Sequence, residues 1–338
     1  MDNLRRFLVV FCIMLVLAAA VCGVRLVRSY DNSNKDLIKD LDIEVPTYDP
    51  SGSSVQSGFK NNILFICYDP DISETQMMFI ANVDSLAKSV DFLLLPKEMK
   101  FNIATGSLVG DFGSMYFGFS GSAGASCASA MASFFDIDIN YYFCITTEEM
   151  GKLLGSFCSE DGGIVFDVPV DIYYRDFEKN IHIDVKRGSH IFTGNDAVNF
   201  LRFYKTYDGT YTKEMLQYYD GTDSKRMNIV ARFIDAFITQ KFFEPSTDFY
   251  IRRFPDLVTP FLSKADTNLN ESVLGVIGQI MGASNSQKIG YFIPLGDVSF
   301  NDRMYLEYNG YIRNLELDEN ISPSVASDIL SSRFKTVY

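Results

Sequence analysis

Eighteen consecutive uncharged residues, 7–24, stand between Arg6 and Arg25, and no other stretch restricts the chain so tightly. At 1.5 Å per residue a helix of that length reaches roughly 27 Å, enough to cross the hydrocarbon of a bilayer. No water is present there to satisfy backbone groups, so a spanning run must be helical. The expectation is an uncleaved anchor at 7–24 behind a short cytoplasmic tail, 1–6. Ala18-Ala19-Ala20 keeps open the alternative of a cleaved signal peptide. Two arginines on each flank, Arg5 and Arg6 against Arg25 and Arg28, do not decide orientation. The position after a signal-like segment argues for a folded part on the extracytoplasmic side.

The whole chain is 47% hydrophobic, which supports a packed core. Its formal net charge of −13 excludes nucleic acid as a partner, because phosphate backbones need a basic face. An anionic ligand must therefore be met by a local cluster of Lys and Arg. The six cysteines show no CxxC pair and no Cys/His ligand spacing, so a zinc site is not expected. Cys67 and Cys144 sit in apolar runs as small core residues, and no disulfide is required.

Residues 25–58 are polar and broken by Pro46, Pro50 and Gly52, the pattern of a tether. Apolar runs at 62–68, 77–83 and 90–95 then read as strands covered on both faces. A small-residue stretch at 118–132 enters a helix, 139–145 is a further strand, and Thr146-Thr147-Glu148-Glu149 opens a capped helix. Helices follow at 194–202 and 227–242. Strands alternating with helices imply an α/β architecture.

The charged residues form several candidates. Asp69 and Asp71 end the first strand with Glu74 close by, and strand ends are where open α/β sheets place ligands. Such hard oxygen donors suit Mg²⁺ holding a phosphate, and the alternative is an ordinary acidic loop. Lys97-Glu98 follows Pro96 at the end of the third strand. Arg202 closes an apolar helical pattern, and Asp223-Ser224-Lys225-Arg226 starts the long helix. With Asp223 as N-cap, Lys225 and Arg226 would lie where backbone N–H groups favour an anion. Together Lys97, Arg202, Lys225 and Arg226 make a candidate pyrophosphate clamp; read singly, each is a surface cation. His182 and His190 fit no nucleophilic triad, and no glycine-rich phosphate loop is present.

Three ordered segments carry a resemblance. They are Gly162-Gly163-Ile164-Val165-Phe166-Asp167-Val168-Pro169, then Ile181-His182-Ile183-Asp184-Val185-Lys186-Arg187-Gly188, then Gly194-Asn195-Asp196-Ala197-Val198-Asn199-Phe200-Leu201-Arg202-Phe203. In order and interval they resemble the LytR-CpsA-Psr family of cell-envelope glycopolymer transferases. Leu95-Pro96-Lys97-Glu98 is similar to that family's Ile-Pro-Arg-Asp, and Asp223 to Arg226 to its Asp-x-x-Arg helix start. The resemblance implies a three-layer α/β/α sandwich around a mixed central sheet at 59–338, with a core at 59–243 and an extension at 244–338. It implies transfer of a polyprenyl-pyrophosphate-linked glycopolymer to a peptidoglycan acceptor at the membrane. It implies Asp69 and Glu74 as carboxylates toward Mg²⁺ (or Mn²⁺), and Lys97, Arg202 and Arg226 as catalytic phosphate-binding residues. Departures stand beside it: Lys97-Glu98 replaces Arg-Asp, Tyr204 replaces a second Arg, and Ile229-Val230 replaces Arg-Gln. Two readings stay open: a working transferase in which Lys97, Arg202, Lys225 and Arg226 compensate, and an inactive member that binds a lipid-linked polymer or an envelope partner.

Overall fold

A computed structural model of the chain describes residues 59–102, 109–119, 121–159, 162–177, 181–243, 248–283, 289–300 and 304–335. The expected anchor at 7–24 and tether at 25–58 lie outside the described residues, among which no helix is long and apolar enough to cross a membrane.

Strands β1 (Lys60–Asp69), β2 (Glu74–Asp84) and β3 (Ser89–Leu94) form an antiparallel meander. A short pair, β4 (Lys100–Asn102) and β5 (Val109–Asp111), leads into helices α1 (Phe112–Gly118) and α2 (Ala123–Phe135). Strand β6 (Tyr141–Thr146) returns parallel to β1 and runs into α3 (Thr147–Phe157), whose N-cap Thr146 accepts the Glu149 amide. Two small antiparallel pairs follow: β7 (Ile164–Val168) with β10 (Gly188–Phe192), and β8 (Ile172–Asp176) with β9 (Ile181–Val185). Then come α4 (Gly194–Arg202), α5 (Asp223–Ile238), α6 (Asp248–Leu262), β11 (Asp266–Thr267) and α7 (Glu271–Ala283). The described chain ends with β12 (Ile289–Phe300), β13 (Met304–Asn314), β14 (Glu319–Ile321) and α8 (Pro323–Phe334).

The main sheet has eight strands in the order β11-β6-β1-β2-β3-β12-β13-β14. It is mixed, because β6/β1 and β3/β12 pair parallel while the other neighbours pair antiparallel. Segment 244–338 is therefore no appendage: β11 to β14 build half of this sheet, and Phe334 of α8 is fully buried in the core.

Alternation along the central strands sends side chains to two apolar layers, which is why these strands read as nearly unbroken hydrophobic runs. Leu64, Ile66, Met78, Ile80 and Leu93 pack against Phe112 and Met115 of α1, Met131 of α2 and Leu330 of α8. Ile63, Phe65, Phe79, Val83 and Phe92 point to the opposite face, beneath side chains of α3, α5, α6 and α7. Helices α3 and α4 approach closely through glycine. Gly194 has φ of 42°, and a Cβ there would lie 3.0 Å from the Gly151 carbonyl oxygen.

One local expectation is corrected. Helix α5 begins at Asp223 and its N-cap is Thr222, whose hydroxyl accepts the Lys225 amide at 3.2 Å. Asp223 is the first helical residue, and its carboxylate serves a tertiary contact.

Candidate functional site

Four segments meet at one end of the sheet. Asp69 closes β1, Glu74 opens β2 as its cross-strand partner, and a tight turn with Ser73 at φ of 50° joins them. Pro96 stops the chain after β3 and delivers Lys97-Glu98 to the start of α5. Arg202 is the last residue of α4, where the helix dipole favours a cation.

Their side chains pair. Arg202 Nη2 donates to Asp69 Oδ2 at 2.6 Å, and both side chains are nearly buried. Lys97 Nζ donates to Glu74 Oε1 at 2.6 Å and sits 3.9 Å from the centroid of the Tyr204 ring. Burial works against the Lys97 charge, but Tyr204, Glu74 and Asp223 outweigh it and hold its pKa above the ordinary value. Cys67 lies beneath, and burial pushes its thiol up to about 12, so it stays protonated and is no nucleophile at neutral pH.

Two reciprocal bonds lock the Lys97-Glu98 turn to α5. The Lys97 amide donates to Asp223 Oδ2 at 2.9 Å, and the Ser224 amide donates to Glu98 Oε1 at 2.8 Å. Burial and the neighbouring Asp223 carboxylate raise the Glu98 pKa to about 7, against the pull of the Ser224 N–H and Lys97.

Arg226 plays a different part from the one expected. It is 2% exposed, and its guanidinium donates to Asp223, to the Leu201 carbonyl and, at 2.6 Å, to the Gln76 carbonyl. One side chain thereby joins β2, α4 and α5 behind the paired charges. Lys225, also expected in the clamp, lines neither the apolar cavity nor the charged openings, and its amide is spent on the Thr222 cap. The Ser224 and Lys225 N–H groups at the start of α5 are thus already occupied from within the protein.

Behind this cluster, between the sheet and helices α3, α5, α6 and α7, lies a cavity of about 250 Å³ lined wholly by apolar side chains. Met77, Met150, Leu154 and Leu201 carry its wall into a constriction of about 10 Å³ that Gln76, Arg202 and Arg226 also line. Gln76 and Arg202 also line a small opening of about 40 Å³ with Lys97, Tyr174 and Tyr204 on the far side. That opening shares Glu74, Lys97, Tyr204 and Lys205 with a wider mouth of about 440 Å³ bearing Glu98, Asp111, Ser114 and Asp223. A greasy chamber and a charged mouth are thus separated by little more than the Arg202 side chain.

Of the residues singled out in the sequence, Asp69, Glu74, Lys97 and Arg202 come together here, Arg226 lies directly behind them, and Lys225 stands apart. His182 is exposed on β9, and His190 Nε2 bonds the Lys186 carbonyl oxygen at 2.7 Å, away from this cluster. Sequence reasoning missed the roles of Tyr204, which cradles Lys97, and of Glu98. Its one signal was an acid placed directly after Pro-Lys. For a metal, the described residues contain no group of three or more His, Cys, Asp or Glu side chains arranged to hold one. Asp69 and Glu74 are two carboxylates side by side, which suffices for Mg²⁺ only when phosphates and waters complete the shell.

The model of the LytR_cpsA_psr family matches residues 27–291. The chain belongs to the LytR-CpsA-Psr family. Among solved structures, B. subtilis TagV matches with 15% identity and a TM-score of 0.60 over 84% of this chain and 100% of that one. Protein gbs0355 from Streptococcus agalactiae matches with 13% identity and a TM-score of 0.59 over 87% and 93%. TagT bound to LIIa-WTA matches with 12% identity and a TM-score of 0.53 over 86% and 94%. A comparison with curated proteins finds none that matches. At these identities the solved structures establish the shared fold of the LytR-CpsA-Psr member described here. Within the family frame, Ile229 and Val230, standing where the resemblance has Arg-Gln, are buried apolar residues of α5.

Proposed function

We propose that this family member binds a polyprenyl-pyrophosphate-linked glycopolymer and transfers it to a peptidoglycan acceptor outside the cell membrane. The observation that carries the reading is the order in which the wholly apolar cavity, the Arg202 side chain and the charged mouth follow one another. An isoprenoid chain needs apolar walls, its phosphates need cations at the exit, and this arrangement supplies both in that order. That TagT is solved bound to LIIa-WTA supports the same class of ligand. Family membership supports the transfer chemistry.

In this reading Arg202 and Lys97 meet the phosphates, Arg202 offering a planar fork and Lys97 a point charge. Arg226 fixes the position of Arg202 through its bond to the neighbouring Leu201 carbonyl. Asp69 and Glu74 would hold Mg²⁺ or Mn²⁺, which would neutralise phosphate charge as it builds. An N-terminal anchor at 7–24 would keep the site near the lipid carrier.

A second reading, a binding module without turnover, has its own observation. Arg202 and Lys97 are already neutralised, Arg202 by Asp69 and Lys97 by Glu74, so an anionic ligand must break two short ion pairs to gain them. The experiment uses the full-length chain in lipid vesicles with Mg²⁺, a lipid-pyrophosphate-linked oligosaccharide and peptidoglycan. Transfer by the wild type that Arg202→Ala abolishes supports the enzyme; binding without transfer supports the module. Neither binding nor transfer by a folded wild type refutes both.

A further inference from the structure

The mouth has two lobes of opposite character. The smaller is lined by Gln76, Lys97, Arg202 and Tyr204, and Gln76 and Arg202 also line the constriction beside the apolar cavity. The wider extends away from Arg202 over Glu98, Asp111, Ser114 and Asp223, with Glu74, Lys97, Tyr204 and Lys205 on the border. A phosphate belongs in the first, where Arg202 adds to the shared Lys97 and Lys205 and none of Glu98, Asp111 and Asp223 lines the wall. The second would repel a phosphate, yet it suits an uncharged hydroxyl group that has a proton to give up.

We infer that, within the transfer reading above, the wider lobe is the acceptor subsite and Glu98 is the general base for the incoming glycan hydroxyl. Three of the four carboxylates that line this mouth are committed to side-chain partners. Glu74 holds Lys97; Asp111 accepts the amide and hydroxyl of Ser114 as the cap of α1; Asp223 holds Arg226 and the Lys97 amide. Among the described residues, Glu98 is the mouth carboxylate held by backbone N–H groups alone, chiefly that of Ser224. That bond fixes the carboxyl against the first turn of α5 while leaving it basic.

Its proton affinity suits the task. The groups facing it are Asp223 from α5, Lys97 beside it in sequence, Asp111 from α1 and Glu74 from β2, with Lys205 across the mouth. Burial, then Asp223, raise its pKa to about 7, where a base both accepts and returns protons readily. In the step itself the acceptor oxygen attacks the phosphorus on the glycan side of the pyrophosphate and forms the new P–O bond. The bond from that phosphorus to the bridging oxygen breaks, its electron pair leaving with the polyprenyl phosphate beside Arg202. The hydroxyl proton passes to Glu98, which later releases it to solvent.

The test measures transfer by the full-length chain in vesicles as a function of pH, with lipid pyrophosphate binding and thermal melting followed in parallel. The wild-type rate should rise through an apparent pKa near 7. Glu98→Gln should lower kcat about 100-fold or more and lose that rise, with lipid affinity within about twofold of wild type. Glu98→Asp should keep the rise and part of the rate. A folded Glu98→Gln with unchanged kcat and pH profile overturns the assignment, as does a loss of lipid binding that accounts for the whole defect. A wild type that binds the lipid but transfers nothing overturns the transfer reading and this assignment with it. Wild-type turnover with an indifferent Glu98→Gln overturns the assignment alone.

Discussion

Replacing Arg226 by Ala should destabilise the protein severely, although by family resemblance this arginine belongs to a phosphate clamp. Asp223 would remain 1% exposed with its charge uncompensated, and the carbonyls of Leu201 and Gln76 would each lose a donor. Breaking one partner of a buried ion pair costs about 3–5 kcal/mol. The two orphaned carbonyls push toward the upper part of that range, at about 1–3 kcal/mol each when buried and dry. The Lys97 amide, still bonded to Asp223, and water entering the vacated space push back, so a loss of about 4 kcal/mol is expected. Set against a typical total of about 5–15 kcal/mol, that is a large fraction. In urea titration it should read as a midpoint lowered by about 1–2 M with the slope preserved. The pair Asp223→Asn with Arg226→Met, which removes both charges together, should cost less than Arg226→Ala alone. A loss below about 1 kcal/mol for Arg226→Ala, accompanied by lost lipid pyrophosphate binding, would refute the reasoning and return Arg226 to the ligand.

Two further outcomes are expected. Ala81→Phe places a ring in the apolar cavity and should abolish binding of a long-chain polyprenyl pyrophosphate while the melting temperature holds or rises; a marked fall would mean the space is not open to fill. Because the folded pKa of Glu98 is raised from 4.5 to about 7, the native state holds a proton that the unfolded state has released between those values. Stability from Glu98 is therefore full below about pH 4.5 and is lost as pH rises through 7, by on the order of 1–3 kcal/mol. Glu98→Gln should flatten that portion of a pH–stability curve, and a wild-type curve with no such portion would refute the shift.

Much of this was legible before folding. The strands expected at 62–68, 77–83 and 90–95 lie within or almost within β1, β2 and β3, because a strand covered on both faces must be apolar at every position. Arg202 at the end of an apolar helix announced a partner, and Asp69 is that partner. The Pro96 stop placed Lys97 and Glu98 at a strand end, where sheets of this kind expose their ligands.

What composition and spacing left open was which of the clustered charges face the mouth and which are locked within. Lys225 and Arg226 are adjacent in the chain, yet one stays clear of the site and the other becomes a buried tie. The difference lies in the Leu201 and Gln76 carbonyls, which arrive from 25 and 150 residues away. The sequence by itself determined the α/β alternation, the apolar strands and the presence of a charged cluster, since those depend on local periodicity and on residue type. Only the tertiary structure decided that β12 pairs with β3, that an apolar cavity opens beside Arg202, and that Glu98 is buried next to Asp223. Each of those depends on dielectric and distance between groups that the chain keeps far apart until it folds.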